Sequence, residues 1–212
     1  QRMAKAFPSV QKLRLGKPSP ELTSLYGEDS FSRLSELSLL QSFDPKEAIF
    51  LSSFIRQLSL HDGTELSDLL CMLIAPSVER LIIKRYWRGL NSNPSRNIPK
   101  LHPRNWPSLT TLITPISIIS GKESRFIFLR DMELWAYYDP IYCNDYDGGV
   151  TRLFKEMAIN TTNFPALESL TLPFFPDGTL PVFCPKALLG AIQMLLTGKF
   201  SEQFTRYELS FQ

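Results

Sequence analysis

The side chains best suited to chemistry stand together in one stretch, DMELWAYYDPIYCNDYDGGVT at 131–151, where Asp139, Asp145 and Asp147 are interleaved with Trp135, Tyr138, Tyr142 and two further tyrosines. Carboxylates grouped among aromatic rings are the equipment of glycoside hydrolysis, one acting as acid and the other as base or nucleophile. The same segment offers a partial calcium loop at Asn144-Asp145-Tyr146-Asp147-Gly148. Placing Gly148 sixth puts Cys143 first and Phe154 twelfth, where such a loop needs oxygen ligands, so both ligand positions fail and calcium is not expected. Other reactive groups are sparse. His61 lies in the turn His61-Asp62-Gly63 and His102 between Leu101 and Pro103, and both read as solvated loop residues. Cys71, Cys143 and Cys184 are far apart with no C-x-x-C, which suits reduced, buried or semi-buried small side chains and rules against a four-ligand zinc site. No phosphate loop, G-x-S-x-G or H-E-x-x-H occurs. No cofactor is expected.

A second stretch is equally biased in the other direction. Residues 84–105, KRYWRGLNSNPSRNIPKLHPRN, carry Lys84, Arg85, Arg88, Arg96, Lys100 and Arg104 with no acid, a local charge of +6. Tyr86 and Trp87 sit inside the basic run. Aromatics beside arginines stack on nucleobases or clamp acidic peptides. The acidic stretch answers with Asp131, Glu133, Asp139, Asp145 and Asp147, a local charge of −5. The whole chain of 212 residues is only +2, too close to neutral for attraction to nucleic acid or anionic membrane through net charge. Any electrostatic partner must be met by a patch.

What positions these loops is a repeat. FPSVQKLRL at 7–15 and FPALESLTL at 164–172 are nearly the same phrase, and APSVERLII at 75–83 and WPSLTTLIT at 106–114 share its opening. The form Pro-[Ser/Ala]-[Val/Leu]-x-x-Leu follows Pro8, Pro76, Pro107 and Pro165, four of sixteen prolines, against well under about 1% expected from average usage. Weaker copies align on the same core, giving central residues Leu13, Leu37, Leu58, Leu81, Leu112, Met132, Leu170 and Leu209 at intervals of 24, 21, 23, 31, 20, 38 and 39. In a short strand side chains alternate, so each central residue points inward with its neighbours outward: Lys12 and Arg14, Ser38, Ser59, Ile113, Glu208 and Ser210 fall on the outer rows.

Helix signals fall between the strands. Ser19-Pro20-Glu21 starts one and Gly27 ends it; Asp44-Pro45-x-Glu47 precedes Ala48, Ile49, Leu51 and Phe54; and 66–74, 150–159 and 185–197 are further candidates. A strand and a helix recurring every 20–29 residues is the period of leucine-rich repeats. The phrase Phe-Pro-x-Leu-x-x-Leu-x-Leu, in loosely spaced copies, resembles the leucine-rich repeats attached to F-box proteins, especially those of fungi. Most copies lack the usual asparagine or cysteine after the strand, and no F-box stands before Phe7. The chain opens on Gln1, as a trimmed fragment would.

The expectation is an α/β leucine-rich-repeat solenoid, one domain over 1–212, with a curved parallel sheet on one face and irregular helices on the other. Long insertions at about 84–105, 135–150 and 173–184 leave strand ends and form one rim. That rim is the expected partner site, with Arg85, Tyr86, Trp87, Arg88, Arg104, Trp135, Tyr138, Asp139, Tyr142, Phe174 and Phe175 as contact residues. The odd cysteine count suits reduced thiols in an intracellular, cytoplasmic or nuclear, setting, and the resemblance implies a protein receptor surface, expected to be non-catalytic and joined to a ubiquitin-ligase adaptor where an F-box precedes the repeats. The alternatives are an enzyme using the acidic aromatic loop 131–147 and a nucleic-acid binder using 84–105. No apolar run is long enough to cross a membrane.

Overall fold

The structure, a computed structural model, describes residues 9–16, 32–41, 47–61, 66–84, 101–115, 125–135, 164–171 and 206–208. Its chain divides into two compact units, 1–109 and 110–212, with the boundary just ahead of a strand.

The repeated phrase is a turn that feeds a strand. In Ala75-Pro76-Ser77-Val78 the amide of Val78 donates to the carbonyl of Ala75 at 3.4 Å; Leu109 to Trp106 and Leu167 to Phe164 do the same at 3.2 Å. Proline holds the second place of each turn, where its fixed φ is pre-set and its missing N–H costs nothing. Ser52-Ser53-Phe54-Ile55 closes the same turn at 3.1 Å without proline. The Ser52 hydroxyl there accepts from the Phe54 amide at 3.4 Å, a local serine turn in place of a proline one.

In the first unit the strands β1 (Lys12–Leu15), β2 (Glu36–Leu39), β4 (Gln57–Leu60) and β6 (Arg80–Ile83) pair side by side, all parallel. Their register puts Leu13, Leu37, Leu58 and Leu81 in one row. The second unit repeats this with β7 (Thr111–Pro115), β8 (Asp131–Trp135), β9 (Ser169–Thr171) and β10 (Arg206–Glu208), aligning Leu112, Met132 and Leu170. A recurring hydrogen bond locks the approach to each strand. The carbonyl two residues before a central residue accepts two successive amides of the next copy: Gln11 from Ser35 and Glu36 (2.9 and 3.0 Å), Arg56 from Glu79 and Arg80 (2.8 and 3.0 Å), Arg130 from Glu168 and Ser169 (2.8 and 3.0 Å).

The core is built of rows that run across the strands. Leu37, Leu58, Leu81, Leu112 and Met132 are essentially without solvent exposure, as are Leu39, Leu60, Ile83 and Leu134 two residues on. A third row comes from the last turn residue: Leu34, Ile55 and Val78 in the first unit, Leu109 at its end, and Leu129 and Leu167 in the second. The first turn residue supplies a fourth, in which Phe126 and Phe164 stack with centroids 6.2 Å apart and planes at 13°. Each buried aliphatic side chain contributes about 1.5–3 kcal/mol of transfer free energy, an upper figure before chain entropy.

Four expectations change. The helix expected from Asp44 is instead β3 (Ile49–Phe50) followed by the serine turn. Ile49 and Leu51 are buried while Phe50 is exposed, a two-residue alternation, and β3 pairs in parallel with β5 (Leu73–Ile74), the Leu51 amide donating to the Ile74 carbonyl at 2.9 Å. That pairing also ends the helix α1 at Leu66–Met72, short of residue 74. In the last strand Tyr207, not Leu209, pairs with Leu170, because both positions satisfy the same alternation and pairing selects between them. Cys71, expected to be buried or semi-buried, is exposed on α1. The helix candidates at 19–27, 150–159 and 185–197 lie outside the described residues, as do Cys143 and Cys184.

Candidate functional site

The outer rows of the first unit are polar except at Ile82. The row ahead of the central leucines runs Lys12, Glu36, Gln57, Arg80, and the row behind them Arg14, Ser38, Ser59, Ile82. Lys12 Nζ meets Glu36 Oε1 at 2.8 Å across β1 and β2. At the turn ends Arg56 reaches Glu79 at 3.2 Å. Each such pair joins neighbouring copies, and at this exposure contributes at most about 1 kcal/mol. The outward expectation is corrected at two places: Ser59 is 4% exposed, and Ile113 in the second unit is 8%. Ser59 stands on β4, which is paired on one side to β2 and on the other to β6, and Ile113 on β7 stands opposite Glu133 of β8.

Where β1, β4 and β6 end, charge collects. His61 follows β4, and its pKa is lowered from the usual value by burial first, then by the positive charges of Lys84 and Arg14. Lys84 follows β6, with its amide donating to the Leu60 carbonyl at 2.8 Å, and its side chain is exposed, as is that of Arg14. Among the described residues neither cation is in an ion pair. The neighbouring His61 amide donates to the Leu39 carbonyl at 2.9 Å, so the backbone here is fixed by the sheet. Two cations with no ion pair among the described residues, flanking an imidazole whose neutral form is favoured, constitute an anion-attracting patch. The wider unit shares this sign: residues 1–109 hold fifteen Lys and Arg against ten Asp and Glu, a net +5, and residues 110–212 hold eight against eleven, a net −3. The outer rows of the second unit carry Asp131 and Glu133.

Of the contact residues expected from the sequence, Arg104 is exposed in a short 3-10 turn, Pro103–Asn105. That turn is bound to an earlier segment: the Asn105 carbonyl accepts from the Ala75 amide at 2.8 Å, and Asn105 Nδ2 donates to the Cys71 carbonyl at 3.1 Å. The Ser108 hydroxyl adds a 2.6 Å bond to the Pro76 carbonyl. Arg104 therefore belongs to the approach of a strand, whereas Lys84 stands at the exit of one. Contiguous sequence conceals this division, so residues 84–105 read as one basic run. Trp135 closes β8, opposite Pro115 in the register. Arg85, Tyr86, Trp87, Arg88, Tyr138, Asp139, Tyr142, Phe174 and Phe175 lie outside the described residues, as do Asp145 and Asp147. In the second unit the strands are parallel, so the segments that leave β8 and β9 depart from the same edge of its sheet.

Sequence reasoning missed Arg14, His61 and Lys84 as a group. Their signal was present in the repeat, since each lies one or three positions past a central leucine, both outward by alternation. Among the described residues no three of His, Cys, Asp and Glu are grouped to hold a metal ion. No helix among them is long and apolar enough to cross a membrane. Comparisons with family models, curated proteins and solved structures find no match for the chain.

Proposed function

We propose that this chain is a leucine-rich-repeat solenoid that recognises another protein and performs no chemistry of its own. The observation that supports it most is the row-by-row register of Leu13, Leu37, Leu58 and Leu81, and of Leu112, Met132 and Leu170, each fed by the same turn. Copies that bury only a shared stack leave their outer rows and strand-end segments free to vary, and such segments on a rigid frame commonly carry binding. The contact residues on this reading are Arg85, Tyr86, Trp87 and Arg88 after β6, Trp135, Tyr138, Asp139 and Tyr142 at and after β8, and Phe174 and Phe175 after β9. Where an F-box is joined to these repeats, the partner is a substrate presented to an intracellular ubiquitin ligase.

The test is affinity purification of the full-length protein beside a variant with Arg85, Trp87 and Arg88 all changed to Ala, with bound molecules identified by mass spectrometry. A protein recovered with the parent and lost with the folded variant is the expected result. Equal recovery with both, or recovery of a sugar or nucleotide in place of a protein, refutes the reading.

A further inference from the structure

We infer that the outer sheet face of the first unit binds an extended acidic polypeptide segment, laid across β1, β2, β4 and β6 with its carboxylates on Arg14 and Lys84. This deepens the receptor reading and rests on it, since it names the chemistry of the partner. The register sets the spacing. Arg14, Ser38, Ser59 and Ile82 form one row across four strands, and Lys84 lies two residues beyond Ile82. Three strand spacings cover about 14 Å, and two residues along a strand add about 7 Å, so the two cations arise about 16 Å apart. An extended chain spans that with about five residues. Acidic residues four to five positions apart would therefore meet both, and His61 between them donates or accepts according to its protonation.

The surroundings favour a polypeptide over a nucleic acid. None of the strand residues of β1, β2, β4 and β6 is aromatic, so these strands contribute no stacking platform of the kind that holds single-stranded bases. Glu36 already neutralises Lys12 at 2.8 Å on the same face, which would repel a continuous phosphate backbone but leaves isolated carboxylates their two anchors. Half-buried Leu40 and Ile82 offer apolar contact next to the charges, as a side-chain-bearing segment requires.

The experiment measures fluorescence anisotropy of three labelled probes against the full chain: a peptide of about a dozen residues alternating glutamate and serine, its lysine counterpart, and an oligothymidylate of similar length. The acidic peptide should bind, weaken as salt rises past about 0.1 M, and lose about tenfold in affinity when Arg14→Glu and Lys84→Glu are combined. Arg14→Gln with Lys84→Gln, milder and checked for an unchanged thermal transition, should show a smaller loss in the same direction. Arg130→Gln in the second unit should leave binding unchanged. Equal affinity of the acidic peptide for parent and charge-reversed protein overturns the inference, and so does tighter binding of the oligothymidylate. If the affinity purification still yields a protein lost on the Arg85, Trp87 and Arg88 change, only this inference fails and the receptor reading stands.

Discussion

Replacing Leu58 by Ala tests the stack directly. Leu58 has no solvent exposure and pairs in register with Leu37 on one side and Leu81 on the other. The deletion removes transfer free energy and leaves a void that main chains locked by paired hydrogen bonds cannot close, at a cost of about 3–5 kcal/mol. Leu13, half-buried on β1 with Leu37 as its paired neighbour, is the comparison. Its truncation exposes less buried surface and opens onto solvent, so about 1–2 kcal/mol is expected. In urea, with a slope of about 2 kcal/mol/M, these costs move the midpoint by about 2 M and by under about 1 M, the slope itself unchanged. The assay is equilibrium unfolding followed by circular dichroism on the full chain. Equal shifts for Leu58→Ala and Leu13→Ala would refute the reasoning, because a side chain held between two identical neighbours cannot cost the same as one at the end of a row. A loss under about 1 kcal/mol at Leu58 would do so as well.

Ser53→Pro places proline at the second position of the turn that lacks it and should raise stability by about 0.4–1 kcal/mol, read as a higher midpoint in the same urea titration. Trp106 is 1% exposed with its indole N–H lacking an acceptor among the described residues, and the matching positions of the second unit hold Phe126 and Phe164. Trp106→Phe should thus cost less than about 1 kcal/mol, relief of the unpaired N–H offsetting lost volume, whereas Trp106→Ala should cost about 3–5 kcal/mol; thermal melts of the two variants separate these cases. His61 has a folded pKa below its ordinary 6.5, so its neutral form is favoured by folding: stability is full above 6.5 and declines as pH falls through the folded value. Urea midpoints taken from pH 7.5 downward should show that decline in the parent and a flatter profile in His61→Gln, and identical profiles would rule His61 out as the source.

Much of the first unit could be read from the letters. The proline phrases at 75–83 and 106–114 mark turns because proline restricts φ locally, and the alternation that follows fixes which face of the strand is buried. The apolar residues of 47–54 fit a helical spacing and a strand alternation at once, and only the approach of Leu73–Ile74 decides for β3. Leu209 lost its place to Tyr207 for the same reason. The cationic strand-end patch is harder to see. Arg14, His61 and Lys84 are dispersed over 71 positions of sequence, inclusive of both ends, and ordinary in type.

Local rules, then, set the turns, the strand centres and the inward-facing rows, because proline geometry and side-chain alternation act within a few consecutive residues. Tertiary pairing alone decided which of two equivalent registers closes the last strand, that the turn holding Arg104 is bound through Asn105 to Cys71 and Ala75, and that three cationic or titratable side chains, on β1 and just after β4 and β6, share one strand-end patch. Those outcomes depend on distances between segments far apart in the chain, and such distances exist only once the strands lie side by side.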